Sequence, residues 1–267
     1  MLAREHSICA RVAVHVRRVV YLGTDLRQVM LRDIREPQPF LHLFPEPEDV
    51  FADPVERYFQ HLMPLLSIDL ASVNPSWCGR IHVVSPVEAT EEEIGTNSKP
   101  FYSDYMRENW IGFRLNEHDR YELLGDWRYF ELDWKRDAVD RINAAERQRV
   151  AYNLGKQRFR EYNRLHYKSD QEPEPRTAHA EPIVGQLGGA AFNGNWRVGY
   201  AGMPLDQSVP DDVVPVTPSG RRFQFVAHLD PGSYAQNDGA WMTFGAGTTL
   251  LFFEPHERIA LQTFDYT

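Results

Sequence analysis

Phe223-Gln224-Phe225-Val226-Ala227-His228-Leu229-Asp230 opens the stretch that decides the fold, because the 45 residues from Phe223 to Thr267 read as strand, Gly-rich loop, strand, strand. The run leads into Pro231-Gly232 and then Asn237-Asp238-Gly239-Ala240-Trp241. Gly245-Ala246-Gly247-Thr248-Thr249-Leu250-Leu251-Phe252-Phe253 follows, and Leu261-Gln262-Thr263-Phe264-Asp265-Tyr266 closes the chain. Short aromatic and β-branched runs bounded by Gly, Pro, Asn and Asp are strand signals. Joined by short turns, such strands pair antiparallel. The reading predicts an antiparallel C-terminal sheet with Phe225, Leu229, Leu251 and Phe253 in a core.

An echo of this unit lies upstream. Leu65-Leu66-Ser67-Ile68-Asp69 leads into a loop containing Asn74-Pro75-Ser76-Trp77-Cys78, and Gly79 starts the return run Arg80-Ile81-His82-Val83-Val84. Two explanations stay open: two related β half-units, or the chance likeness of short hairpins. Arg11 to Leu22 and Gln28 to Ile34 also read as strands, Glu36 to Asp53 as a Pro-rich acidic loop, and Trp127 to Trp134 as an aromatic strand. Asp53-Pro54 places an N-cap and a first-turn proline ahead of a short helix, Val55 to Met63. The strongest helical signal is Arg136 to Lys168, which has no proline and a single glycine, Gly155, where a bend is expected. Its apolar residues fall on three- and four-residue steps, so Phe159, Tyr162 and Leu165 are expected to face the sheets. The fold class is therefore α+β, largely antiparallel β, with one long central helix. A single domain over residues 1–267 is expected, its halves 1–134 and 182–267 joined by helix 136–168 and the Pro-rich loop 170–181.

The C-terminal motifs resemble the YwqG-like family of bacterial proteins of unassigned activity. In that family a strand ending in Leu-Asp precedes a Trp-Gly loop, a Gly-x-Leu-x-Phe-Phe strand and a Leu-Gln-x-x-Tyr terminus. A further partial match is Pro182-Ile183-Val184-Gly185-Gln186-Leu187-Gly188-Gly189, at the place of a Gly-Gly turn before the last strands. The resemblance covers residues 182–267 and implies a fold before it implies a function.

Composition narrows the class. With 42% hydrophobic and 25% charged residues the chain is ordinary for a globular protein. It holds no apolar run of the length a membrane helix needs. Arg4, Glu5, His6 and Arg11 interrupt any apolar signal core, so a cytoplasmic protein is expected. Cys9 and Cys78 lack C-x-x-C spacing and are expected as buried or half-buried free thiols. The net charge is −9, yet Lys135 to Lys168 carries ten basic against four acidic residues. An acidic remainder repels phosphates, so this helix reads as an internal electrostatic partner of the body rather than a nucleic-acid surface.

Motifs for chemistry are sparse. No Gly-x-Ser-x-Gly, P-loop or dinucleotide fingerprint occurs. Gly185-Gln186-Leu187-Gly188-Gly189 reads as a tight turn, and Cys78 with His82 as structural residues. The ten histidines form no His-Glu-x-x-His or Cys/His cluster; no metal and no cofactor is expected. No catalytic residue is assigned.

Two functions compete. Members of the resembled family are linked to secreted bacterial toxins, which implies an immunity protein that binds a toxin, such as a basic nuclease, and occludes it. Physically, Glu46, Glu48, Asp49, Glu88, Glu91, Glu92 and Glu93 crowd two exposed acidic segments that could steer a basic partner. Trp77, Trp110, Trp127, Trp196 and Trp241 are candidate anchors or core residues. The alternative is an enzyme or small-ligand-binding protein with a pocket of His228, Asp230, Asn237 and Trp241 near the C-terminal unit. A deep pocket with convergent polar groups favours the second reading, and a broad acidic surface the first.

Overall fold

A computed structural model describes residues 31–87, 94–134, 139–163, 165, 183–197, 202–230 and 247–266. The expected strand Arg11 to Leu22, Cys9, the acidic residues Glu88, Glu91, Glu92 and Glu93, the loop 170–181, and Asn237 and Trp241 lie outside these residues.

The described chain is α+β and its sheets are antiparallel. Its strands are β1 (Leu31–Ile34), β2 (Leu41–Leu43), β3 (Leu62–Asp69), β4 (Arg80–Pro86), β5 (Trp110–Leu115), β6 (Tyr121–Leu123) and β7 (Val184–Leu187). After them come β8 (Leu205–Asp206), β9 (Val214–Pro215), β10 (Gln224–Leu229), β11 (Thr248–Glu254) and β12 (Ile259–Asp265). The helices are α1 (Pro47–Val50), α2 (Val55–His61), α3 (Glu131–Trp134) and α4 (Val139–Tyr162). A seven-stranded sheet runs β1-β7-β10-β11-β12-β5-β6, beside a three-stranded sheet β2-β3-β4 and the ribbon β8-β9. The large sheet takes strands from both sides of α4 in sequence. The two echoing hairpins are both antiparallel pairs, β3 with β4 and β10 with β11, in different sheets.

The run Leu250-Leu251-Phe252-Phe253 is apolar throughout because both faces of the large sheet are covered. Leu251 and Phe253 join Leu229 in the larger core, while Leu250 and Phe252 join Trp110, Ala191, Trp196, Val214 and Phe223 in a second one. All four expected core residues are buried, but Phe225 belongs to the second core. A register shift between Phe225 and Ala227 reverses the alternation, so Phe225 and Leu229 leave opposite faces.

The two sheets are joined by side chains that complete the free edge of β4. Gln262 on β12 accepts from the Val84 N–H at 3.0 Å and donates to the Val84 carbonyl at 2.5 Å. Two residues along the same edge, the Tyr121 hydroxyl accepts from the His82 N–H at 2.9 Å and donates to its carbonyl at 2.5 Å. A strand edge that would otherwise be buried unsatisfied is thereby paired.

Several expected boundaries moved. The helix from Val55 stops at His61 and β3 starts at Leu62, since Pro64 disfavours helical backbone at Met63. Its N-cap is Pro54, without a side-chain cap, rather than Asp53. The expected strand Trp127 to Trp134 is a 3₁₀ turn, Trp127–Tyr129, followed by α3. Asp126 accepts the Arg128 N–H at 2.9 Å and nucleates that turn. Helix α4 passes through Gly155 and ends at Tyr162, not Lys168, because Asn163 adopts φ 54° and donates to the Phe159 carbonyl at 2.7 Å. Its packed face runs through Ala145, Tyr152, Lys156 and Phe159; of the expected trio Phe159 packs on the core and Leu165, past the helix end, is buried in it, while Tyr162 is 38% exposed. The Tyr152 hydroxyl donates to the Pro64 carbonyl at 2.9 Å, and Phe44 meets both Tyr152 and Phe159. Cys78 is exposed rather than buried, since it sits in the turn between β3 and β4 rather than under it.

Candidate functional site

The acidic group separates into residues with different roles. Glu46, expected to face a partner, instead accepts Lys156 Nζ at 2.7 Å and Arg160 Nη2 at 2.6 Å. The hydrogen bond from Lys156 leads in holding its carboxyl below the usual range. The basic helix thus spends two of its charges on the body. Glu48 and Asp49 lie in the first turn of α1 rather than in a loop, exposed and without an ion pair among the described residues.

At the C-terminal unit, His228 Nε2 stands 3.5 Å from Asp230 Oδ1, the same-face pairing that an alternating strand dictates. The ring of His228 holds Asp230 below the usual carboxylate range. Gly185 on β7 packs against both, and a Cβ there would lie 2.4 Å from each side chain. Neither residue borders either of the two clefts described below.

His82 is no partner for Cys78. Its Nδ1 accepts from the Ser67 hydroxyl at 2.7 Å and its Nε2 donates to the Asp119 carbonyl at 2.7 Å, so both ring nitrogens are engaged in the interior. Burial lowers its pKa to about 4, which keeps the ring neutral at physiological pH. Among the described residues no group of three or more His, Cys, Asp or Glu could hold a metal ion.

Two clefts remain. One, of about 420 Å³, lies between Val73, Asn74 and Trp77 of the β3–β4 loop and Arg222 to Phe225, with Gly189 and Asp212. Its cation is already spent: Arg222 holds Asp206 at 2.7 Å and Asp212 at 3.2 Å. Trp77 packs on Phe253 and is nearly buried.

The other, of about 460 Å³, opens where α2, α3 and α4 meet and is lined by Arg57, Gln60, His61, Leu132, Asp133, Ile142, Ala145 and Arg149. Arg57 and His61 share one face of α2 because they are four residues apart. Arg57 Nη2 donates to Asp133 Oδ1 at 2.8 Å, and its guanidinium lies over the Trp127 ring at 4.9 Å. His61 Nε2 is 3.8 Å from the same carboxylate oxygen, and its ring stacks on Phe130 at 4.7 Å. Arg149, from α4, donates to the Gln60 carbonyl at 2.6 Å and so caps the last turn of α2. Two guanidiniums, an imidazole and a carboxylate therefore converge on one opening beside Leu132, Ile142 and Ala145. Sequence reasoning did not select these residues. The Arg57-x-x-x-His61 spacing on an expected helix was the one signal; nothing local ties it to Asp133 or Arg149.

No family model matches the chain, and neither curated proteins nor solved structures include one significantly similar to it. Among the described residues no helix is long and apolar enough to cross a membrane.

Proposed function

We propose that this protein binds a small organic ligand in the cleft between α2, α3 and α4. The observation that carries the reading is the convergence of Arg57, His61, Asp133 and Arg149 on an opening of about 460 Å³ beside Leu132, Ile142 and Ala145. Ligand sites combine apolar walls with a few oriented polar groups in this way. The test is a ligand-observed NMR fragment screen repeated with Ile142→Trp, which fills the opening from an exposed position and should leave the melting temperature unchanged. Loss of the bound fragments is the expected result. Fragments that bind the variant as well as the parent place the site elsewhere and overturn the reading.

A second reading keeps the implication of the YwqG-like resemblance: a cytosolic inhibitor, an immunity protein that occludes a toxin. Its support is the exposed pair Glu48 and Asp49, with no internal cation among the described residues. Co-expression with the toxin domain of a neighbouring reading frame tests it. Protection that weakens on charge reversal of Glu91, Glu92 and Glu93 or of Glu48 and Asp49 supports steering by acidic groups; failure to bind or protect removes this reading.

A further inference from the structure

We infer that α4 is a latched strap: it lifts from the small sheet as one unit while the large sheet stays folded, and its latch is the segment Phe44-Pro45-Glu46. Among the described side chains of α4, Ala145 and Tyr152 are the fully buried apolar ones, whereas Val139 and Val150 are 65% and 59% exposed. Lys156 takes a place on the packed face that a core helix gives to an apolar residue. A helix draws most of its stability from a packed apolar face, so one with so thin a seam lies at the low end of local stability.

What holds the helix down is concentrated at one place. The Phe44 ring lies 5.7 Å from that of Tyr152 and 5.8 Å from that of Phe159. Two residues further on, Glu46 takes Lys156 at 2.7 Å and Arg160 at 2.6 Å. These four positions fall on three- and four-residue steps, so a single face of α4 meets the segment. Phe44 is itself strained. Its φ is 49°, although a bulky residue rarely adopts positive φ and one before a proline prefers extended backbone. Such strain persists where the surroundings hold it, and switch segments are one place it is found. The surroundings are the two α4 rings on one side and, on the other, the Leu65 carbonyl, which accepts the Phe44 N–H at 2.7 Å.

Lifting α4 removes those rings and lets Phe44 relax, which lowers the cost of opening. The half-exposed bridges of Glu46 exchange for water at little loss. Two single hydrogen bonds remain, from Tyr152 to the Pro64 carbonyl and from Arg149 to the Gln60 carbonyl, and both acceptors can turn to water. Ile142, Ala145 and Arg149 also line the cleft, so the strap is one of its walls and lifting opens it. The latch stands whether or not the cleft takes a ligand.

Amide hydrogen exchange of the full chain, followed by mass spectrometry through rising sub-denaturing urea, tests this. Peptides across α4 should share one opening constant, about a hundredfold larger than that of β11 and β12, with a weak urea dependence because little surface is exposed. Tyr121→Phe, at the junction of the sheets, removes bonds to His82 that are present in the closed and the lifted form alike. It should speed exchange in β11 and β12 and leave α4 unchanged. The urea series on the parent chain decides alone if that variant folds poorly. Phe44→Leu should speed α4 exchange about tenfold through lost ring contacts, and Glu46→Gln about threefold. Peptides of α4 that follow β11 and β12 in rate and urea slope, or that speed up with Tyr121→Phe, show a helix that opens only in global unfolding and overturn the strap. Fraying from the helix ends without a shared constant overturns it as well. A shared constant that neither Phe44→Leu nor Glu46→Gln moves overturns the latch.

Discussion

The junction between the two sheets and the cleft between the helices both bring polar side chains together from distant parts of the chain, and they do so to opposite ends. At the junction, Tyr121 and Gln262 each satisfy one N–H and one carbonyl of β4, and His82 is closed off by Ser67 and Asp119. At the cleft, Arg57 is held by Asp133, Arg149 by the Gln60 carbonyl and by Glu146 at 3.6 Å, and both side chains also border an opening. A closed polar network adds stability and pairing specificity, while one that borders solvent leaves donors for a ligand. Substitution should separate the two: junction variants should change folding, and cleft variants should change binding.

The largest effect is expected at Gln262. Gln262→Ala strands the Val84 N–H and carbonyl in the interior and opens a cavity, costing about 4 kcal/mol in urea unfolding. Tyr121→Phe removes the hydroxyl alone and should cost about 3 kcal/mol, since two buried backbone groups of His82 lose their partner. Variants that unfold with the parent midpoint would break the claim that these side chains complete the strand edge.

Next comes acid. His82 is held neutral to about pH 4 in the folded state, against an ordinary value of 6.5. Below 6.5 the unfolded chain binds a proton that the folded chain refuses, so stability falls as pH drops from 6.5 towards 4. The total loss from this residue is about 3 kcal/mol. Unfolding midpoints between pH 7 and 4 should show that slope, and His82→Gln, though less stable, should flatten it. An equal slope in the variant would assign the acid sensitivity to other groups.

Arg149→Met should lower stability by only about 1 kcal/mol, the worth of one hydrogen bond whose acceptor can turn to water, while weakening ligand binding in the cleft. A loss as large as that of Gln262→Ala would make Arg149 a structural residue and erase the contrast. The smallest effect belongs to Glu46→Gln. Its bridges to Lys156 and Arg160 are half exposed, so the cost should stay below about 1 kcal/mol and shrink with salt. The carboxyl is held below 4.5, so this contribution is present above that pH and is lost as pH falls through the depressed value.

What the amino-acid sequence determined by itself was local. Alternation and turn residues placed β10, β11 and β12, Pro54 opened α2, and the proline-free run after Arg136 became α4, because strand and helix periods are written in neighbouring residues. Where one residue broke the period, at the shift beside Phe225, at Pro64 and at Asn163, the expected boundary or face moved with it. Tertiary structure alone decided what the polar residues do. It matched Glu46 with a helix more than a hundred residues away, closed Gln262 on Val84 across 178 positions, and set Arg149 beside Arg57. Such meetings depend on how sheets and helices pack, and side-chain charge and hydrogen bonding act at a few ångströms in space whatever the separation along the chain.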